Sequence, residues 1–191
     1  MNVLVAVILA LLTFALRVAD HPWNVAPTAA AMLFAGAILP RRWGWIAPLA
    51  GSLAADAIIG WYTWQIALVV YGSFIAIWAA SAFVARVVGR SGTSTMRRAA
   101  ILSLAGSVGF FLTTNWAAWM GTEMYPPTWA GLVASYAAGI PFFRNTLLGD
   151  LLFSGTFFGC YAAAVWVGNK KSALMRGVFA RVGVRTDRSP W

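Results

Sequence analysis

Long, almost uninterrupted apolar stretches dominate this chain, and short basic clusters separate them. A helix needs about 20 apolar residues to cross a hydrocarbon core roughly 30 Å thick. Five stretches meet or nearly meet that length, and two shorter ones accompany them. The five cover residues 2–19, 43–60, 65–88, 99–121 and 145–168, and the shorter two cover 25–39 and 128–143. The pattern predicts an all-α integral membrane protein.

The overall composition agrees with this class. Hydrophobic residues make up 61% of the 191 residues and charged residues only 10%, whereas soluble domains are about half apolar and about a quarter charged. The net charge of +9 comes from residues beside the apolar stretches, where they act as topology signals. We therefore predict a lipid bilayer, and no nucleic acid, as a partner. The flanking residues are Arg41, Arg42, Arg86, Arg90, Arg97, Arg98, Lys170, Lys171, Arg176, Arg181, Arg185 and Arg188.

The basic clusters also predict an orientation, because cytoplasmic loops carry the excess of Lys and Arg. If 25–39 crosses the membrane and 128–143 does not, all three clusters lie on one side. If both cross, the basic tail lies opposite the other two clusters. We predict the first arrangement: a six-transmembrane-helix bundle over residues 1–168, a short outer capping or re-entrant helix at 128–143, and a basic cytoplasmic tail at 169–191. Both termini are then cytoplasmic.

Several polar side chains interrupt the apolar stretches near their predicted outer ends. A charge inside a bilayer costs a few kcal/mol or more, so such residues usually face a bundle interior or cavity and have partners. We predict that they line one outward-facing pocket, with carboxylates and amides orienting a small solute and tryptophans stacking on it. The predicted substrate-binding residues are Trp23, Asn24, Asp56, Asn115, Trp116, Asn145 and Asp150.

Structural roles for the same residues stay open. Ser52 precedes Asp56 by four residues and Thr146 precedes Asp150 by four, so each aspartate has a hydroxyl on its own helix face. The asparagines are suited to hydrogen bonds between helices. Arg144 could pair with an acidic residue, bind an anionic solute, or extend to the lipid headgroups.

Enzymatic functions are disfavoured. Asp56 and Asp150 could be the two aspartates of an intramembrane protease, but Leu147 stands where the Gly-x-Gly-Asp motif has its first glycine. A serine intramembrane protease would need a serine with a partner base, but the single histidine, His21, lies at an outer helix end. With Cys160 as the single cysteine, no metal site of the usual spacing is predicted. We predict a non-enzymatic protein without a cofactor.

Parts of the chain between Arg17 and Gly168 resemble a family of small, functionally uncharacterised bacterial membrane proteins, which is similar in layout to the substrate-binding S components of energy-coupling-factor vitamin transporters. The matching segments are Asn24-Val-Ala-Pro27, Leu33-Phe-Ala-Gly-Ala37, Pro48, Asp56-Ala-Ile-Ile-Gly60, Thr114-Asn-Trp116, Tyr125-Pro-Pro-Thr128 and residues 140–150. The resemblance implies a six-helix bundle in the bacterial inner membrane, with both termini cytoplasmic and a vitamin-sized pocket near the outer face.

Small residues recur at four-residue spacing in the first stretch, as Ala6 with Ala10 and Ala15 with Ala19. This spacing is typical of close helix contacts, including ordinary internal packing. The resemblance implies that one of these pairs docks the membrane subunit of an ATP-driven module. In the cobalamin-binding relatives of these S components a loop cysteine ligates cobalt. Cys160 lies inside the last apolar stretch, so the resemblance does not support cobalamin as the solute. An accessory or scaffold subunit of a larger membrane complex, without its own ligand, is the alternative function.

Overall fold

The computed structural model describes residues 2–19, 24–88 and 94–181, and these form helices without any strand. The prediction of an all-α fold is confirmed for this part of the chain. Trp23 and the tail after Arg181 lie outside the described residues. The six helices are α1 (Asn2–Val18), α2 (Thr28–Ile38), α3 (Ile46–Ile59), α4 (Trp64–Val88), α5 (Ser94–Gly121) and α6 (Trp129–Arg181).

Three of these helices are long and apolar enough to cross a membrane. Their qualifying segments are Trp64–Val87, Thr95–Gly121 and Trp129–Lys170. The helices α1, α2 and α3 are also apolar but shorter. The α2 helix has 11 residues, so at 1.5 Å per residue it is about 17 Å long.

The short α2 helix forms the centre of the fold. It contacts each of the other five helices, and its residues from Ala30 to Ala37 are buried. A helix that is apolar on all sides belongs in an interior, which explains why α2 lacks a polar face. Phe34 packs edge-on against Phe158 of α6, with ring centroids 5.2 Å apart. The remaining contacts pair α1 with α3 and place α5 between α4 and α6.

The α2 and α4 helices cross with almost no space between their backbones. A Cβ atom on Gly36 would lie 2.5 Å from the carbonyl oxygen of Trp78 and 2.9 Å from the Cβ of Ser81. The Ser81 hydroxyl donates to the carbonyl oxygen of Leu33 at 2.6 Å. Glycine at position 36 therefore permits the contact that anchors the central helix.

The α1 and α3 helices pack closely through a second glycine. Gly51 lies against the carbonyl oxygen of Ala10, and Ala6 is buried in the core. The first pair of small residues is thus used for packing within the chain. Ala15 and Ala19 are exposed, so only this pair is accessible to a partner.

The α6 helix is continuous for 53 residues and contains Pro141. The sequence predicts a separate capping helix at 128–143 and a span at 145–168, whereas in the structure both segments belong to one helix. Proline removes one backbone hydrogen bond, and neighbouring helices allow a membrane helix to tolerate that loss. The helix instead begins after Pro126 and Pro127, where the Thr128 hydroxyl accepts a hydrogen bond from the Gly131 amide at 3.1 Å, as an N-cap does.

Candidate functional site

Two neighbouring cavities share Asn24, Phe110 and Thr146 as lining residues. The smaller has a volume of about 80 Å³ and the larger about 220 Å³. The smaller is also lined by Arg17, Ala26, Thr28, Ala29, Tyr62, Val70, Phe74 and Asp150. The larger is also lined by Phe111, Thr114, Asn115, Gly139, Phe142 and Phe143. Cationic, anionic and amide groups therefore meet inside a largely apolar fold.

Arg17 of α1 lines one side of the smaller cavity and forms an ion pair with Asp56 of α3. The Nε and Nη2 atoms of Arg17 lie 2.8 Å and 2.7 Å from Oδ1 of Asp56. Arg17 Nη2 also donates to the Tyr62 hydroxyl at 2.6 Å, while the Tyr71 hydroxyl donates to Oδ2 of Asp56. Asp56 is 0% exposed and lines neither of the two cavities. It binds and positions Arg17, which faces the cavity.

Ser52 is not the partner of Asp56. The Ser52 hydroxyl lies 2.9 Å from the hydroxyl of Thr28, so it links α3 to the first residue of α2. Asp56 points instead towards Arg17 and Tyr71, because these two donors satisfy both of its carboxylate oxygens. A buried carboxylate with a cationic partner and a second donor meets the conditions under which burial of a charge is tolerated.

Asp150 forms the opposite side of the smaller cavity. It is 4% exposed, and its Oδ2 accepts a hydrogen bond from the Ser107 hydroxyl of α5 at 2.7 Å. Thr146 is not its partner, since that hydroxyl donates to the carbonyl oxygen of Phe142 at 3.0 Å. Within the described part of the chain, no basic side chain lies within 4.0 Å of the Asp150 carboxylate.

The two asparagines that line the cavities differ in their surroundings. Asn115 donates from Nδ2 to the carbonyl oxygen of Phe111 at 2.8 Å, and its amide fills the space beside Gly139 of α6. It therefore combines helix packing with a position on the larger cavity. Asn24 has a φ of 63°, a left-handed conformation that asparagine adopts more readily than most residues. It borders both cavities.

Besides Asp56, two of the predicted residues do not line these cavities. Trp116 is 49% exposed and lines neither cavity. Asn145 is half-buried and also absent from both linings. Trp23 falls among the residues that are not described. Arg144, for which the sequence leaves several roles open, has an exposed side chain and lines neither cavity.

Arg17 is the main residue that the sequence prediction missed, together with Tyr62, Tyr71 and Ser107. Arg17 lies at the end of the first apolar stretch, where a basic residue is easily interpreted as a helix-end anchor. A usable signal was present: Arg17 and Asp56 both lie near the predicted outer ends of their helices. Opposite charges at one depth are good candidates for pairing.

The described residues contain no group of three or more His, Cys, Asp or Glu side chains that could hold a metal ion. The two buried carboxylates have different partners: Asp56 is bound to Arg17, and Asp150 is bound to Ser107. The smaller cavity therefore has two charged walls, formed by Arg17 on one side and Asp150 on the other. Such walls can orient a polar molecule by hydrogen bonds and by charge.

Comparison with known proteins places the chain in a family and gives no further assignment. No curated protein and no solved structure matches it. One family model, described as a family of unknown function (DUF6580), matches residues 1–174. This match includes all six helices apart from the last residues of α6. The chain therefore belongs to the family of unknown function DUF6580.

Proposed function

We propose that this protein binds a small solute in the two neighbouring cavities and serves its uptake across a bacterial inner membrane. The observation that carries the proposal is the convergence of Arg17, Asn24 and Asp150 on one cavity inside an apolar fold. Binding pockets are typically apolar with a few well-placed polar groups. Polar groups that served packing alone would not need to surround open space.

The proposed setting is a six-helix bundle with cytoplasmic termini. The lengths of α4, α5 and α6 support it, as does the placement of basic clusters beside the apolar stretches. The α2 helix, about 17 Å long, is shorter than a 30 Å hydrocarbon core. It is buried among other helices, so its flanking segments can complete the crossing without contact with lipid.

The proposed mode of action is similar to that of the S components of energy-coupling-factor transporters, which bind vitamins or similar micronutrients. This chain has no phosphate-binding loop in its sequence, so any use of ATP belongs to a partner module or to other membrane subunits. Ala15 and Ala19 are exposed on α1 and form the proposed docking position. Ala6 and Ala10 already pack inside the fold.

The size of the cavities limits the class of solute. Their volumes of about 80 Å³ and 220 Å³ together approach the lower end of the roughly 300–1,000 Å³ that ligand pockets span. Phe110 lies between them and belongs to both linings, so a compact ring or short chain fits better than a large branched molecule. We therefore propose a micronutrient-sized solute.

Native mass spectrometry of the full chain, purified in mild detergent, tests this proposal. We expect a small molecule to co-purify at close to one per protein and to be lost in Thr146→Trp, because Thr146 borders both cavities and an indole would fill them. Thr156→Trp is the matched control, since Thr156 is an exposed threonine of the same helix. It should retain the molecule.

One outcome of this experiment would contradict the proposal. Wild-type protein that carries no small molecule, but co-purifies with stoichiometric protein partners other than ATPase modules, would contradict solute binding. That outcome would favour an accessory or scaffold subunit. Thermal unfolding of both threonine variants shows whether each remains folded, so that loss of the solute can be separated from loss of the structure.

A further inference from the structure

We propose that the solute carries a positively charged nitrogen and that Asp150 is its counter-charge. This inference rests on the proposed function, because it assigns a chemical class to the solute of the same cavities. It depends on a comparison of the two charged walls. Arg17 is compensated by Asp56 within the protein, whereas Asp150 lacks a basic partner within 4.0 Å in the described part of the chain.

The balance of charge around the smaller cavity is the first argument. Arg17 and Asp56 neutralise each other, and Tyr71 adds a donor to Asp56. Asp150 has one hydrogen bond from the neutral hydroxyl of Ser107. A buried charge is costly unless it is both paired and hydrogen-bonded. The cavity is therefore complementary to a ligand that contributes one positive charge next to Asp150.

The engagement of Arg17 is the second argument, and it disfavours an anionic solute. Two of the three guanidinium nitrogens already donate, to Asp56 and to Tyr62. An anion would have to compete with a carboxylate at hydrogen-bond distance, and would also enter a cavity that contains Asp150. Repulsion between like charges in a buried site makes that arrangement unfavourable.

The composition of the walls is the third argument, and it favours an organic cation over a bare metal ion. Ca²⁺ and Mg²⁺ require about six to eight oxygen ligands, including water. Among the described residues, Asp150 is the one carboxylate in the lining of the smaller cavity, and its other walls include Val70, Phe74 and Phe110. Apolar walls suit carbon atoms. An ammonium group at Asp150 would leave the body of the molecule to extend past Thr146 into the larger cavity.

Paired primary amines and their isosteric alcohols test the inference, with cyclohexylmethylamine and cyclohexylmethanol as the first pair. Isothermal titration of the full chain in detergent measures each affinity. We expect wild-type protein to bind the amine about tenfold or more tightly than the alcohol. In Asp150→Asn the preference should fall to within about twofold, because an amide keeps the shape but removes the charge. Arg144→Gln, an exposed site outside both cavities, should keep it.

Several outcomes would overturn the inference. Equal affinity of wild-type protein for amine and alcohol would show that the cavity does not select a cation, even if the solute proposed above co-purifies. A preference that survives Asp150→Asn in folded protein would assign the counter-charge elsewhere. If Asp150→Asn does not fold, Asp150→Ser takes its place, because it also removes the charge. The preference should fall in the same way, and a preference that survives in folded Asp150→Ser would overturn the inference. Failure of every pair to bind at millimolar concentration overturns it too, while the co-purification experiment decides separately whether a solute site exists.

Discussion

Replacement of Arg17 by methionine is expected to lower the free energy of unfolding by about 3–5 kcal/mol, because it leaves Asp56 buried and without a cation. Methionine keeps most of the apolar volume of the arginine side chain, so lost packing contributes little. Unfolding by denaturant in mixed micelles measures the effect. Arg97→Met is the matched control: Arg97 has an exposed side chain, and we expect a change within about 0.5 kcal/mol.

The double variant Arg17→Met with Asp56→Asn separates the ion pair from other effects. Removal of both charges leaves no uncompensated ion, and asparagine can still accept the hydrogen bond from Tyr71. We therefore expect the double variant to be more stable than Arg17→Met alone. Costs that add up without interaction between the two sites would contradict a direct ion pair, since residues in contact do not behave additively.

Gly36→Ala is expected to destabilise the fold, because the added methyl group has no room where the α2 and α4 helices cross. The new Cβ would lie 2.5 Å from the carbonyl oxygen of Trp78 and 3.0 Å from the amide nitrogen of Ala82. Both are backbone atoms, so the α2 and α4 helices would have to separate. Overpacking of this kind typically costs about 1–3 kcal/mol, which thermal or denaturant unfolding can measure.

Gly72→Ala in α4 is the control for this prediction. A Cβ atom at Gly72 meets nothing within 4 Å, so only helix propensity changes. Alanine is favoured over glycine inside a helix by roughly 0.5–1 kcal/mol, and the control should therefore be neutral or slightly stabilising. Similar destabilisation by both substitutions would show that the close crossing of α2 and α4 does not contribute as argued.

The helices and part of the site follow from local sequence patterns. Length and apolar composition indicate the α4 and α5 helices to within a few residues at most ends, because these properties act within one segment. The sequence predicts that Asn24, Asn115 and Asp150 line a substrate pocket. All three border the cavities, and their role in binding stays a prediction. Polar residues within apolar stretches are informative because a polar side chain in such a place usually has a hydrogen-bonding partner or faces a cavity.

The partners of these residues could not be predicted in the same way. The ion pair of Arg17 with Asp56 spans 39 positions in the chain, and it depends on α1 and α3 being neighbours. Periodicity within one helix contains no information on which helix lies beside it. The hydroxyls of Ser52 and Thr146 lie one turn before the two aspartates, but Ser52 is hydrogen-bonded to Thr28 and Thr146 donates to the carbonyl oxygen of Phe142. The continuity of α6 through Pro141 depends in the same way on its surroundings.

The short length of α2 has a consequence for the site. Pro27 precedes its first residue, and a proline disfavours helical backbone in the residue before it. Asn24, with its left-handed φ, is a further interruption upstream. Had the central helix continued by two turns, its side chains would occupy the region that Asn24, Ala26 and Thr28 now border. The position of Pro27 thus sets where α2 begins and how much of the cavity stays open. Substitutions in the segment that precedes α2 can therefore change the volume of the cavity while Arg17 and Asp150 stay unchanged.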